Sequence, residues 1–134
     1  MLKIMVLHEK VVSLIKEKSF GHIAFIDNDG FPHVTPVWVD TDGEHVIVNT
    51  AVGRKKQRLA KEGKPVSIEI SNPSNPYRYA LIKGKIMKQT FEGAEEHINQ
   101  MAKKYTGAEK YTKSSEDEKR VLIYIKPVKV ITNF

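Results

Sequence analysis

The pattern of apolar and polar residues along the chain predicts a mainly β protein with a few helices. Apolar side chains recur at helical spacing over 8–18 and 91–105, which indicates two amphipathic helices, and a third, cationic helix begins at Arg54. Strand patterns occupy six segments, namely 21–26, 31–39, 45–48, 65–70, 77–90 and 120–126. Because strand mostly follows strand, the pattern favours an antiparallel barrel over a parallel α/β sheet.

Glycine, proline and other turn residues mark the irregular points of this pattern. The clusters 27–30 and 72–76 are typical of turns between strands. Gly84 falls within the long fifth strand, where we expect a bulge or a bend. We also expect Gly63 to end the cationic helix and Pro127 to interrupt the last strand.

Asp42-Gly43 lies between two apolar runs, a pattern typical of an antiparallel hairpin with a two-residue turn. A turn at these two residues places Thr41 opposite Glu44. Continuing this register in equal steps pairs Trp38 with Ile47, Pro36 with Asn49 and Thr35 with Thr50. The open end of the hairpin is therefore predicted to be polar.

The segment after this hairpin predicts a binding site for a phosphate group. A short turn ending at Gly53 leads into a helix whose first residues, Arg54 and Lys55, are cations. Unpaired N–H groups carry partial positive charge at a helix start, so cations there indicate a nearby anion. Together with the hydroxyls of Thr35 and Thr50, the amides and the two cations describe a phosphate site.

The same charges also fit a solvated surface, because the cation-rich run 54–64 is typical of an exposed helix face. A second candidate is Tyr77-Arg78-Tyr79, where two aromatic rings flank a cation, as on surfaces that stack on planar rings and bind anions. Its alternative is an edge strand with core tyrosines and a solvated arginine. Trp38 fits either the core or a pocket wall.

Length, charge and composition narrow the classes of function. The chain has 134 residues, which predicts one domain, 1–134. A net charge of +6 favours an anionic partner, which is nucleic acid, an acidic membrane or a phosphorylated small molecule. The absence of Cys excludes disulfides and thiolate chemistry. The chain has no long apolar run, and its apolar start, 1–7, has no cleavage site, so we expect a cytoplasmic protein without a membrane span.

The sequence has no motif for hydrolysis or metal binding. The predicted register separates His22, His33 and His45, and no His-x-x-x-His or Glu-x-x-His spacing occurs, so we propose no metal. A Gly-x-Ser-x-Gly elbow and a Gly-rich nucleotide loop are also absent. No side chain is therefore assigned as a catalytic acid, base or nucleophile.

Four segments of the chain resemble the flavin-binding split-barrel superfamily of pyridoxamine phosphate oxidase, and in particular its deazaflavin-dependent reductases. These segments are 33–38, 49–56, 75–79 and 93–98, followed by Lys104 and Tyr105, and they occur in this order over nearly the whole chain. The resemblance implies a six-stranded antiparallel Greek-key split barrel with two or three flanking helices. It also implies a homodimer with two cofactor sites in the groove between the subunits.

The resemblance further implies roles for individual residues. Arg54 and Lys55 would bind the phosphate of the cofactor, and Asn49 and Thr50 its phosphate and ribityl side. The backbone of 35–37 would lie along the ring, and the 77–79 segment would reach in from the partner chain. The complete cofactor-binding set is His33, Thr35, Pro36, Val37, Trp38, Asn49, Thr50, Gly53, Arg54, Lys55, Lys56, Tyr77, Arg78 and Tyr79.

The function implied by this resemblance is that of an oxidoreductase. It would move a hydride between bound FMN, or a deazaflavin such as coenzyme F-420, and a small organic substrate. The alternatives are an FMN-binding carrier or sensor without turnover, and a basic nucleic-acid-binding domain, of which nucleic acid is the less favoured partner. The Arg- and Trp-containing C-terminal signature of pyridoxamine phosphate oxidases is absent before Phe134, so vitamin B6 chemistry is not expected.

Overall fold

The computed structural model describes residues 6–134, which form three helices and seven strands. The helices are α1 (Glu9–Lys16), α2 (Lys55–Leu59) and α3 (Ala94–Thr106). The strands are β1 (Phe20–Ile26), β2 (Pro32–Trp38), β3 (Asp40–Thr41), β4 (Val46–Ala51), β5 (Pro65–Asn72), β6 (Asn75–Thr90) and β7 (Arg120–Asn133). Residues 1–5, within the apolar start considered above, lie outside the described part. None of the helices in 6–134 has the length and apolar character needed to cross a membrane.

The seven strands form one antiparallel sheet in the order β2-β1-β5-β6-β7-β4-β3. Its edge strands, β2 and β3, are consecutive in the chain and are joined by Val39 alone. The sheet therefore curls until its two edges meet at Val39. Beyond this point β2 and β4, which belong to opposite ends of the strand order, do not pair, and the barrel stays open between them. The predicted antiparallel, mainly β architecture is confirmed. The number of strands is seven rather than six, because the chain turns at Val39 and adds the short strand β3.

Apolar side chains from alternate strand positions fill the interior of the barrel. They include Ile23, Phe25, Val46, Val48, Ile68, Ile70, Ile82, Ile86, Ile123 and Ile125. Helix α1 packs Val11, Leu14 and Ile15 against this core. Each such side chain contributes about 1.5–3 kcal/mol when it is buried, so the core is the main source of stability. On the outside of the barrel, Ala94 of α3 packs on Ile47 and Leu122.

The predicted two-residue turn of the β3–β4 hairpin is wrong. Its loop has four residues, so that Thr41 lies opposite Val46 rather than Glu44. Asp42 stabilises the longer loop, because its Oδ1 accepts hydrogen bonds from the amides of Glu44, at 2.9 Å, and His45, at 2.7 Å. An aspartate side chain that bonds to the following amides is a common alternative to a tight turn.

The predicted pairing of β2 with β4 is also wrong. In the structure, Thr35, Pro36 and Trp38 lie opposite Ile23, His22 and Phe20 of β1. The bend at Val39 sends β2 and β3 to opposite ends of the strand order, so the hairpin register cannot continue beyond β3. The polar ends of β2 and β4 therefore face each other across an opening instead of forming a ladder.

Helix α2 is shorter than the predicted cationic helix. It ends at Leu59 and not near Gly63, because the next residue, Ala60, is fully buried in the core and the chain turns inward. The other two helices form where predicted, and α3 begins after Gly93 and ends before Gly107, both in the left-handed conformation.

The long strands β6 and β7 are bent at Gly84. The register between them shifts there, which confirms the predicted bulge. A Cβ atom at Gly84 would lie 2.4 Å from the carbonyl oxygen of Lys126, so the close approach of the two backbones requires glycine. Pro127 lies opposite this bulge and does not end β7, which continues to Asn133 in contrast to the expected interruption.

Candidate functional site

A cavity of about 340 Å³ lies at the opening between β2 and β4. Its volume is typical of small-molecule sites. It is lined by Phe20, Pro36, Val37, Trp38, Asn49, Thr50, Arg54, Lys56, Ile98, Tyr111 and Arg120. The cavity thus brings together residues that the sequence predicted on β2, on β4 and at the start of α2. We refer to it as the β2–β4 cavity.

One wall of the β2–β4 cavity is aromatic and held rigidly from behind. The indole of Trp38 stacks on the ring of Tyr105, with 5.1 Å between centroids and 6° between planes. The Tyr105 hydroxyl donates to the carbonyl of Ser19 at 2.5 Å and accepts from the amide of Val39 at 3.1 Å. Burial raises the pKa of Tyr105 to about 12, so it stays a neutral donor. The Trp38 plane is therefore fixed.

Thr50 places an unsatisfied hydroxyl in the β2–β4 cavity. The residue is 1% exposed, and its Oγ1 is the one buried side-chain oxygen or nitrogen within 6–134 that lacks a hydrogen-bond partner. Leaving such a group without a partner costs about 1–3 kcal/mol. A ligand with a hydrogen-bonding group at this point would remove that cost, so Thr50 indicates a polar ligand.

Arg120 is a buried cation that sequence reasoning missed. It begins β7, is 3% exposed, and its Nε donates to Asn49 Oδ1 at 2.9 Å. Its guanidinium carbon lies 4.9 Å from the centroid of the Tyr111 ring. Burial lowers the pKa of Arg120, but an arginine remains charged in proteins. The available signal was the cation pair Lys119-Arg120 directly before the apolar run 121–125.

The carboxylate of Glu118 neutralises part of this charge. Its side chain is 3% exposed, and it accepts hydrogen bonds from Arg120 Nη1, at 3.2 Å, and from Arg54 Nη2, at 3.3 Å. Ser114 adds its hydroxyl at 2.6 Å. Burial alone would raise the pKa of Glu118, but the hydrogen bonds of Ser114 and the charge of Arg120 outweigh it and lower this pKa to about 2.

The three cations at the start of α2 point in different directions. Arg54 turns towards Glu118, and Lys55 forms an ion pair with Asp27 on the other side of the helix. Lys56 lines the β2–β4 cavity, and its Nζ lies 3.2 Å from Thr35 Oγ1. Burial and the neighbouring Arg54 lower the pKa of Lys56. No ion pair within 6–134 involves Lys56.

The family model for pyridoxamine 5'-phosphate oxidase matches residues 8–132 of this chain. The chain belongs to this family. The matched span includes six strands and all of β7 except its last residue, and it includes every lining residue of the β2–β4 cavity. A search of curated protein sequences finds no match.

Several solved structures are similar to this chain in fold. An F-420 reductase is 26% identical, with a TM-score of 0.76, over 93% of this chain and 98% of its own. An FAD- and haem-binding protein from Mycobacterium smegmatis is 13% identical, with a TM-score of 0.64, over 92% of this chain and 68% of its own. The flavocytochrome Anf3 from Azotobacter vinelandii is 14% identical, with a TM-score of 0.67, over 94% of this chain and 66% of its own. These likenesses show that the chain shares the fold of the three proteins.

In this family member, a chain of hydrogen bonds from β3 fixes Asn49. His97 Nε2 lies 2.9 Å from Asp40 Oδ2, and His97 Nδ1 lies 3.1 Å from Asn49 Nδ2. Burial opposes the charge of Asp40, but the hydrogen bonds from His97, Lys16 and the Thr41 amide together outweigh it and hold the pKa of Asp40 well below its usual range. Asn49 Nδ2 also donates to the carbonyl of Ala94 at 2.9 Å. Because its Oδ1 accepts from Arg120, the Asn49 amide positions that guanidinium.

Several residues of the predicted site lie away from the β2–β4 cavity. The amide of Gly53 donates to Gln57 Oε1, at 3.1 Å, and the side chain of His33 does not line the cavity. The segment 77–79 begins β6, where Tyr77 is 81% exposed and Arg78 pairs with Glu17. Within one chain, these residues do not meet the cavity. No group of three His, Asp or Glu side chains in 6–134 has the arrangement of a metal site.

A second and larger cleft lies on the opposite side of α2. Its volume is about 900 Å³, and its lining includes Lys55, Arg58, Lys61 and Lys64. We refer to it as the basic cleft. Arg58, Lys61 and Lys64 make no ion pair with any residue of 6–134, and no buried unsatisfied group lies in this cleft. The basic cleft therefore has charge without the other signs of a built site.

Proposed function

We propose that this member of the pyridoxamine 5'-phosphate oxidase family is an oxidoreductase that binds FMN or a deazaflavin such as coenzyme F-420 in the β2–β4 cavity. The observation that carries this proposal is the unsatisfied hydroxyl of Thr50 in a cavity with Arg54 and Arg120. A hydroxyl and two guanidinium groups are the donors that a phosphate oxygen needs. The similarity to an F-420 reductase adds support for the cofactor class.

The cavity residues divide into a charged and an apolar part that suit such a cofactor. Thr50, Arg54, Lys56 and Arg120 would bind the phosphate, and Trp38 and its neighbours on β2 would bound the planar ring. A bound flavin or deazaflavin supplies the hydride chemistry. The protein's part is to hold the ring against a wall fixed by Tyr105, to orient the phosphate, and to exclude water. No side chain is assigned as a general acid or base.

The proposal includes a homodimer with a cofactor site between subunits. The cavity lies at an opening of the barrel, so a single chain leaves one side of it uncovered. Tyr77 and Val34 are large side chains exposed on the sheet surface, at 81% and 57%, as expected for residues that a second subunit covers. The segment 77–79 would then reach the cavity of the partner. Sedimentation equilibrium tests this, and a monomer at micromolar concentration contradicts it.

Cofactor titration tests the central proposal. The protein is titrated with FMN, coenzyme F-420 and riboflavin, and binding is followed by cofactor fluorescence. We expect at least one phosphorylated cofactor to bind with a dissociation constant in the micromolar range or below, and more tightly than riboflavin. Failure of both phosphorylated cofactors to bind contradicts the proposal. The absorption spectrum of protein purified from its native cells then distinguishes FMN from the deazaflavin.

The main rival function is that of a carrier or sensor that binds the cofactor without turnover. Anaerobic reduction of the bound cofactor, followed by a screen of small organic oxidants, separates the two. We expect at least one oxidant to reoxidise the bound cofactor faster than it reoxidises the free cofactor. If none does, the carrier function replaces the oxidoreductase.

A further inference from the structure

Glu118 occupies the position where an anionic ligand would meet the two arginines of the β2–β4 cavity. Its Oε1 accepts from Arg54 Nη2, and its Oε2 accepts from Arg120 Nη1. The remaining donors to Oε1 are the amide of Ser114, at 3.2 Å, its hydroxyl, at 2.6 Å, and the hydroxyl of Tyr111, at 3.3 Å. A carboxylate that bridges two arginines is bound as a phosphate would be.

The contacts of Glu118 with the arginines are longer than its contact with the Ser114 hydroxyl. Both guanidinium distances are 3.2–3.3 Å, whereas strong charge-assisted hydrogen bonds are about 2.7–2.9 Å. The side chain of Arg54 is 46% exposed, so it is free to turn towards another anion. Ser114, by contrast, lies on the same 107–119 loop as Glu118 and holds its carboxylate with the shortest of these bonds.

The 107–119 loop that carries Glu118 is held to the rest of the fold at separate points, one of which is the ion pair of Lys113 with Glu95, at 3.5 Å. The amide of Val52 donates to the carbonyl of Lys119 at 2.9 Å, directly before β7 begins. The amide of Tyr111 donates to Asn99 Oδ1 of α3 at 2.8 Å. Between these points the loop has neither helix nor strand, so the carboxylate can shift without disrupting regular structure.

We propose that Glu118 is an internal counter-ion that competes with the anionic group of the ligand for Arg54 and Arg120, and so determines the charge selectivity of the cavity. This inference rests on the proposed function, because it assumes that a phosphate binds beside these arginines. In the free protein the carboxylate neutralises part of the charge of these two cations. When a phosphate binds, the carboxylate remains close and repels it, so that the affinity for more highly charged ligands is held down.

A pair of variants and a pair of ligands tests this role. Glu118→Gln keeps the shape of the side chain but removes its charge, and the exposed Glu116 on the same loop provides the control Glu116→Gln. FMN and riboflavin share one ring system and differ by the phosphate. We expect Glu118→Gln to lower the dissociation constant of FMN by about tenfold, since one repelling charge near the phosphate is lost, and to leave riboflavin within about twofold. Glu116→Gln should change neither.

The opposite results overturn the inference. If Glu118→Gln weakens FMN, then the carboxylate serves to position the arginines and does not compete with the ligand. If FMN and riboflavin change by the same factor, then the effect is a general one on the loop and is independent of charge. Should Glu118→Gln fold poorly by circular dichroism, Glu118→Asp withdraws the carboxylate by one methylene and keeps its charge. About threefold tighter FMN binding is then expected, and unchanged or weaker binding overturns the inference.

Inorganic phosphate separates this inference from the redox function. We expect phosphate to raise the melting temperature of Glu118→Gln more than that of the wild type or of Glu116→Gln. If FMN and coenzyme F-420 both fail to bind the wild type while this phosphate effect is observed, the redox proposal fails and the counter-ion role stands. If phosphate stabilises Glu118→Gln no more than the control, the counter-ion role fails, whatever cofactor the protein binds.

Discussion

The two sides of α2 carry similar charges in different surroundings. On one side, Lys56 joins the buried Arg120 and the unsatisfied Thr50 in the β2–β4 cavity. On the other side, Lys55 and Arg58 belong to the basic cleft, which is more than twice as large. Cations that stay in water contribute little to binding, whereas a cation already stripped of water interacts strongly with an anion. The comparison teaches that burial and unsatisfied donors, and not the number of charges, distinguish a built site.

The charges of the β2–β4 cavity are held in place by neighbouring side chains, whereas most of those in the basic cleft are not. The guanidinium of Arg120 has lost its hydration. Glu118 compensates for part of that loss, and Asn49 and Tyr111 hold the guanidinium in place. A ligand that meets it finds a donor already oriented, so little entropy is lost on binding. The lysines of the basic cleft have no such partners within 6–134 apart from the pair of Lys55 with Asp27. Binding there would have to order long side chains first.

The largest expected effect comes from replacing the buried arginine. Arg120→Lys keeps the positive charge but removes the planar fork, so we expect FMN affinity to fall by about thirtyfold, which is about 2 kcal/mol. Arg58→Lys makes the same change in the basic cleft, and we expect less than a twofold effect. Fluorescence titration of both variants checks this. Equal losses in the two variants would contradict the difference between the two regions.

The second prediction concerns the unsatisfied hydroxyl. Thr50→Val replaces Oγ1 by a methyl group, so we expect the free energy of unfolding without ligand to rise by about 1 kcal/mol, while FMN affinity falls about fivefold. The control is Thr41→Val, because Thr41 is also buried but its Oγ1 donates to the carbonyl of His45 at 2.6 Å. This variant should lose stability. Urea unfolding measures the free energy of unfolding of both variants. A destabilised Thr50→Val would show that the hydroxyl has a partner inside the protein.

The third prediction compares adjacent lysines on opposite sides of α2. We expect Lys56→Gln to weaken FMN binding about threefold, because its amino group is already partly desolvated beside Thr35. Lys55→Gln should change the affinity less than twofold, since Lys55 faces Asp27 and the basic cleft. Fluorescence titration of the two single variants with FMN shows which lysine contributes more to the affinity. A larger loss for Lys55→Gln would support the original assignment of Lys55 to the cofactor phosphate.

The smallest effect is a difference in acid stability. The pKa of Glu118 in the folded protein is about 2, below its ordinary value of 4.5, so its charged form stabilises the fold. That stability is present above pH 4.5 and is lost as the pH falls towards 2. We expect the unfolding free energy of Glu118→Gln to depend less on pH between 4.5 and 2.5 than that of the wild type. Glu116→Gln should retain the wild-type slope, and identical slopes for all three proteins would contradict the lowered pKa.

Local sequence patterns predicted the elements of the fold well. The period of the apolar residues located α1 and α3, because an amphipathic helix must bury one stripe of its surface. Strand patterns located six of the seven β strands and their antiparallel class, and Gly84 marked the bend of β6. These features depend on residues close together in the chain. The resemblance of four short segments then led to the family that the match over 8–132 establishes.

The tertiary structure alone decided which residues share the β2–β4 cavity. The bend at Val39 moved β2 away from β4, and a four-residue loop shifted the hairpin register, although the sequence had located both β2 and β4. Arg120 enters the cavity through pairing of β7 with β4, which joins segments about seventy residues apart. The directions of Lys55 and Lys56 depend on a helix of five residues and on the carboxylates around it. Periodicity determines which face of an element is buried, but the contacts between distant elements determine which charges face a ligand.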